Sequence, residues 1–153
     1  MRAARKLFGL CCIVAAAGFF AAGQANAGIS CHKINAKGVG QDLGSGNTEA
    51  QIIGGGLLHG TTQAHFDITG GSFPVFAIDG TLHITTNQAT VTVHLVGSFN
   101  VATGAFLSTG PVIGATGKLA GATGTLSLDG VEDLASGKFT EDISGTICVN
   151  LAP

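Results

Sequence analysis

Val91–Phe106 reads VTVHLVGSFNVATGAF, and Gly124–Val149 reads GTLSLDGVEDLASGKFTEDISGTICV. One turn occurs in both. Asn100-Val-Ala-Thr-Gly104-Ala-Phe106 returns thirty-three positions later as Asp133-Leu-Ala-Ser-Gly137-Lys-Phe139. Each copy is an Asn or Asp, a short loop, and a Gly shortly before a strand that opens with Phe. Asn and Asp start such turns through their own side chains, and Gly takes the positive φ that other residues resist. The segments on either side alternate apolar and polar residues with period two, as half-buried strands do.

Working outward, the same pattern fills the chain from residue 28 onward, and no amphipathic helical period of useful length interrupts it. The pattern predicts strands over about 29–40, 49–58, 61–69, 75–85, 89–99, 105–112, 122–132 and 138–149. A loop is expected at 42–47, a bulge or sharp bend at Gly54-Gly55-Gly56, and a loop with one helical turn at 114–121. Eight sequential strands with short links predict an all-β, antiparallel up-and-down barrel of eight strands, calycin-like, rather than a Greek-key sandwich.

Residues 1–27 stand apart. Arg2, Arg5 and Lys6 precede an apolar run from Leu7 to Ala22, and Ala25-Asn26-Ala27 fits a small-x-small cleavage site. This reads as a secretory signal peptide and not a membrane span. Cys11, early in the run after Leu10, does not fit a lipoprotein cysteine. Removal of the signal leaves a single domain, 28–153, expected to be secreted or periplasmic and without a membrane span. That domain has four lysines, no arginine and nine acidic residues, a net charge of −5, and neither Trp nor Tyr. Such a surface repels nucleic acid and lacks the usual stacking platforms.

Cys31 and Cys148 then remain, one near each end. In an exported protein an isolated pair reads most simply as a disulfide; two free thiols are the alternative. In an even-stranded antiparallel barrel the start of the first strand lies beside the end of the last, so the bond would pin the closing seam. Closing a loop of 117 residues stabilises by up to roughly 4.8 kcal/mol on the loop-closure argument.

Parity sorts the faces. Ala64, Phe66, Ile68, Phe76, Ile78, Leu82, Ile84, Val91, Val93, Leu95, Phe99, Leu126, Leu128, Phe139, Glu141, Ile143 and Ile147 fall on the inward face, and Thr-rich positions fall outward. Glu141 is the exception in an apolar set. Glu132 falls on the same face, diagonal to it, and Ser108 holds the place of Glu141 in the other copy of the hairpin. A carboxyl walled by Phe and Ile has its charged form disfavoured, which raises its pKa and suits acid or base work. A rim position reaching water is the plainer alternative. Glu141 is therefore the best catalytic candidate.

Of the histidines, His83 and His94 are expected diagonal on the outer face, too few for a metal site. His32 shares the inward face with Ile34 and Ala36, far from Glu141. The segment before Lys118 fails the phosphate-loop pattern at Val112 and at Leu119,. No metal and no cofactor is expected.

Gly114-Ala-Thr-Gly-Lys-Leu-Ala-Gly-Ala-Thr-Gly124, followed by a strand, an acidic turn and Ser144-Gly-Thr-Ile-Cys148, resembles the allene oxide cyclase-like barrel proteins, which are related to plant dirigent proteins. The resemblance implies an eight-stranded barrel in a secreted bacterial version, and a cofactor-free cyclase or isomerase as one reading of the activity. The plant loop opens with paired Gly where this chain has Gly114-Ala115, and Leu119 stands in place of its aromatic. No catalytic position is carried over, because fold does not transfer chemistry.

The leading expectation is a barrel that binds a small apolar molecule without chemistry. Phe66, Phe76, Ile84, Val93, Leu95, Phe99, Phe106, Ser108, Leu128, Phe139 and Ile143 are the expected ligand-binding residues. The cyclase or isomerase is the second reading, and a filled barrel with a structural or surface role the third. Nothing in the pattern sets an oligomeric state.

Overall fold

The computed structural model describes residues 28–54 and 56–150. The expected signal peptide lies outside them, as do residues 151–153. The described chain is a closed antiparallel barrel with strands in sequence order, β1 through β8, and β8 paired back onto β1. The strands are β1 Ser30–Gly44, β2 Asn47–Gly54, β3 Gly60–Ser72, β4 Val75–Thr86, β5 Thr90–Asn100, β6 Ala105–Ala115, β7 Thr123–Asp133 and β8 Lys138–Val149. The only helical turns among the described residues are the short 3-10 pieces Gly56–Leu58 and Gly117–Leu119. None is long and apolar enough to cross a membrane.

The repeated turn is the same object twice. Ala102 N–H donates to Asn100 Oδ1 (2.9 Å) and Gly104 N–H to the Asn100 carbonyl (2.8 Å). Ala135 N–H donates to Asp133 Oδ1 (3.0 Å) and Gly137 N–H to the Asp133 carbonyl (2.7 Å). Gly104 and Gly137 take φ of 74° and 69°, where a Cβ would be strained. Both turns leave from one end of the barrel, the upper end, together with the β1–β2 and β3–β4 turns. Cys31 and Cys148 are direct partners on β1 and β8 at the lower end and are joined by a disulfide. The bond closes the seam, as the sequence suggests.

Four spans differ from the sequence reading, the simplest being β6, which runs on to Ala115 and not to 112. β1 and β2 run on into a turn at Ser45-Gly46 where a loop over 42–47 is expected; Gly44, Ser45 and Gly46 all have positive φ, so the chain reverses in two residues. β2 stops at Gly54, and Leu58 belongs to a 3-10 turn and not to the strand. Gly54 and Gly56, both at positive φ, take the chain out of the β region there. β3 passes Gly70-Gly71 through a register shift between Ile68 and Gly70 and continues to Ser72, as strands do when a bulge absorbs the extra residue.

The interior is packed in its lower half. Ile34, Ile52, Leu82, Ile84, Val91, Val93, Leu95, Leu126, Ile143 and Ile147 are buried there with Leu58 and Leu119. Each such side chain contributes roughly 1.5–3 kcal/mol on removal from water. The outward positions of β1 and β8 carry Lys33, Asn35, Lys37, Thr140, Asp142, Ser144 and Thr146, all exposed.

Candidate functional site

β8 brings Phe139, Glu141 and Ile143 inward in succession, and all three are buried. Glu141 keeps 6% of its surface. It fits because both of its cross-strand partners are glycine, Gly38 on β1 and Gly130 on β7. A Cβ on Gly38 would stand 2.5 Å from Glu141 Oε1, and one on Gly130 would stand 2.9 Å from its Cβ. The Glu141 carboxyl thus lies across the bare backbone of β1. No hydrogen bond among the described residues reaches it, and burial pushes its pKa up to about 7. The cause is desolvation, which penalises the charged form.

Above this packed lower half the barrel is open. A cavity of about 480 Å³ occupies its upper part. Its apolar wall is Phe66, Ile68, Ile78, Phe99, Phe106, Leu128 and Phe139; its polar side chains are Asp42, Ser45, Thr48, Ser108, Glu132 and Glu141, and Gly46 and Asp67 border it. Phe106 and Phe139 meet edge to face, centroids 5.9 Å apart at 86°, a favoured aromatic geometry. Inward glycines make the room. Cβ atoms on Gly40, Gly80 and Gly130 would run into the rings of Phe139, Phe66 and Phe106 respectively. Ser108 keeps 1% of its surface and, like Glu141, has no hydrogen bond among the described residues. Glu132, nearer the mouth, has its pKa raised by partial burial first and then by the charges of Asp42 and Asp133.

The expected ligand-binding residues divide by height. Phe66, Phe99, Phe106, Ser108, Leu128 and Phe139 line the cavity with Glu141. Ile84, Val93, Leu95 and Ile143 share their face but sit lower, in the packed core. Phe76, paired with Phe99, is half-buried and outside the wall. Parity gives a residue its face and says nothing of its level. Sequence reasoning missed Asp42, Ser45, Gly46, Thr48 and Asp67. Asp42 continues the inward series Ile34, Ala36, Gly38, Gly40, and Thr48 precedes Ala50 and Ile52 in step, so that signal was present. Ser45 and Gly46 form the turn that replaced the expected loop. Asp67 borders the mouth through its backbone side only: its side chain, 77% exposed, turns outward and lies 3.5 Å from His65 Nε2.

Other titratable groups lie elsewhere. His94 Nε2 is 2.7 Å from Asp79 Oδ1, and His83 Nδ1 is 3.2 Å from Thr92 Oγ1. Among the described residues no three His, Cys, Asp or Glu side chains converge as metal ligands would. His32 pairs with Ile147 at the lower end, with its Nε2 buried and unpartnered, and takes no part in the cavity. Compared with protein-family models, with curated proteins and with solved structures, the chain matches none.

Proposed function

We propose that this protein is an exported, non-catalytic binder of a small, mainly apolar molecule, held in the upper half of the barrel. The observation that carries the reading is the 480 Å³ cavity walled by four phenylalanines above a packed core. Ligand pockets of this kind run from about 300 to 1,000 Å³ and are mostly apolar with a few placed polar groups. The Cys31–Cys148 bond supports an oxidising compartment.

The test is binding of N-phenyl-1-naphthylamine, a neutral apolar fluorophore, to the purified protein and to a Ser108→Phe variant that fills the cavity. Saturable fluorescence enhancement lost in the variant supports the reading. No enhancement with the native protein, or equal enhancement with the filled one, overturns it.

A second reading, a cofactor-free cyclase or isomerase of the allene oxide cyclase-like type, is favoured by one observation. Burial in the cavity wall pushes the pKa of Glu141 up to about 7, the range that suits a general acid or base. Under that reading Glu141→Gln abolishes turnover and leaves binding in place.

A further inference from the structure

We infer that the molecule held in the cavity is an organic cation, an amine whose apolar body packs on the phenylalanines and whose ammonium meets the Glu141 carboxylate. The inference rests on the binding reading above and names the class of ligand. Glu141 is more than nine-tenths buried, lines the cavity and has no partner among the described residues. Buried polar groups are ordinarily hydrogen-bonded, so an unpartnered carboxyl in the wall of a chamber marks the place of a missing donor.

The surroundings fix the sign of that donor. Every charged residue in the wall is acidic. β1 supplies Gly38 and then Asp42, and β7 supplies Gly130 and then Glu132; on β3, Asp67 turns outward and lies 3.5 Å from His65 Nε2. All the lysines among the described residues are exposed and absent from the wall; Lys37, for one, pairs with Asp142 on the outer face. An anionic ligand would meet uncompensated like charge, and a cation relieves the mutual repulsion of Glu132 and Asp42. A metal ion is disfavoured because no three ligands converge among the described residues, whereas an ammonium needs one carboxylate and gains from aromatic faces.

The experiment uses three probes on one skeleton: 2-(1-naphthyl)ethylamine, 2-(1-naphthyl)ethanol and 1-naphthaleneacetic acid. Binding is measured by calorimetry at pH 8 to the native protein and to Glu141→Gln. The amine should bind about 10- to 100-fold more tightly than the alcohol, the range a charge-assisted hydrogen bond gives, and more tightly still than the acid. Glu141→Gln should remove the advantage of the amine over the alcohol. If the alcohol or the acid binds as well as the amine, or if Glu141→Gln leaves the preference intact, the cation is overturned and the apolar cavity stands. If none of the three binds at millimolar concentration, the cavity reading itself fails and the inference with it.

Discussion

Gly38 and Glu141 are direct partners across the β1–β8 seam, and the carboxyl of one occupies the space where the other would carry a side chain. Gly38 has no positive φ to defend, so its glycine answers to the neighbour and not to the backbone. Gly38→Ala should destabilise the native protein by about 1–2 kcal/mol through overpacking. In a Glu141→Ala background the same change should be neutral, or stabilising by up to about 1 kcal/mol from reduced unfolded-chain entropy. Urea melts of the four proteins give the coupling; strictly additive effects would sink the argument.

The pH profile should carry the signature of Glu141. Its folded-state pKa, about 7, lies above the ordinary carboxyl value of 4.5, so the folded protein holds this proton more tightly than the unfolded chain. The contribution is fully present below pH 4.5 and is lost as pH rises through 7; the whole effect is on the order of 3 kcal/mol. Glu141→Gln should therefore be stabilising at pH 8 and nearly neutral at pH 4. Glu132, also raised, acts in the same direction and should leave a smaller slope in the variant. Thermal melts at both pH values decide it, and parallel profiles would refute it.

Ser108 is buried in the cavity wall with no side-chain hydrogen bond among the described residues. Removal of a hydroxyl that bonds no protein group and fills little volume is close to neutral. Ser108→Ala should change stability by less than about 1 kcal/mol, in contrast to Leu126→Ala in the packed half, where about 2–5 kcal/mol is expected. Equal losses at both positions in denaturant melts would mean that the upper half is packed like the lower.

His32 offers the same test at the other end. Its Nε2 is buried without a partner, so His32→Leu should raise the melting midpoint by the equivalent of about 1 kcal/mol or more. A fall would show that the ring makes a contact the leucine cannot replace.

The native protein should contain one disulfide, Cys31–Cys148. Intact mass after alkylation, with and without reductant, should show no free thiol in the native protein and two after reduction. Cys148→Ala should cost about 2–4 kcal/mol while the far-UV spectrum stays β-rich.

The sequence carried most of the fold because its signals were local. Asn100, Asp133 and the glycines after them dictated two turns, and alternation dictated which side chains face inward. Glu141 was legible for the same reason, as a lone carboxylate in an apolar series. The cavity was not, because height along the barrel axis depends on stagger between strands. Ile84 and Val93 read the same as Phe99 in parity yet lie in the plug, and only closure of the ladder separates them. Leu58 misled for a second reason: apolar residues after a glycine run fit a strand and a 3-10 turn equally well, and the positive φ at Gly54 and Gly56 chose the turn.

The lower-end disulfide also sets how the barrel bears load. Both ends of the described chain leave beside Cys31 and Cys148, at the end away from the mouth. A pull applied between them passes through the sulfur bridge and reaches none of the ladders enclosed by it. With the bridge reduced, the same pull meets β1 and β8 end-on and opens their seam one pair at a time from Ser30 and Val149 upward, so that a thiol reductant would turn a mechanically inert barrel into one that unzips. A surface tethered at either terminus would likewise hold the molecule by its packed base and leave the mouth facing the solution.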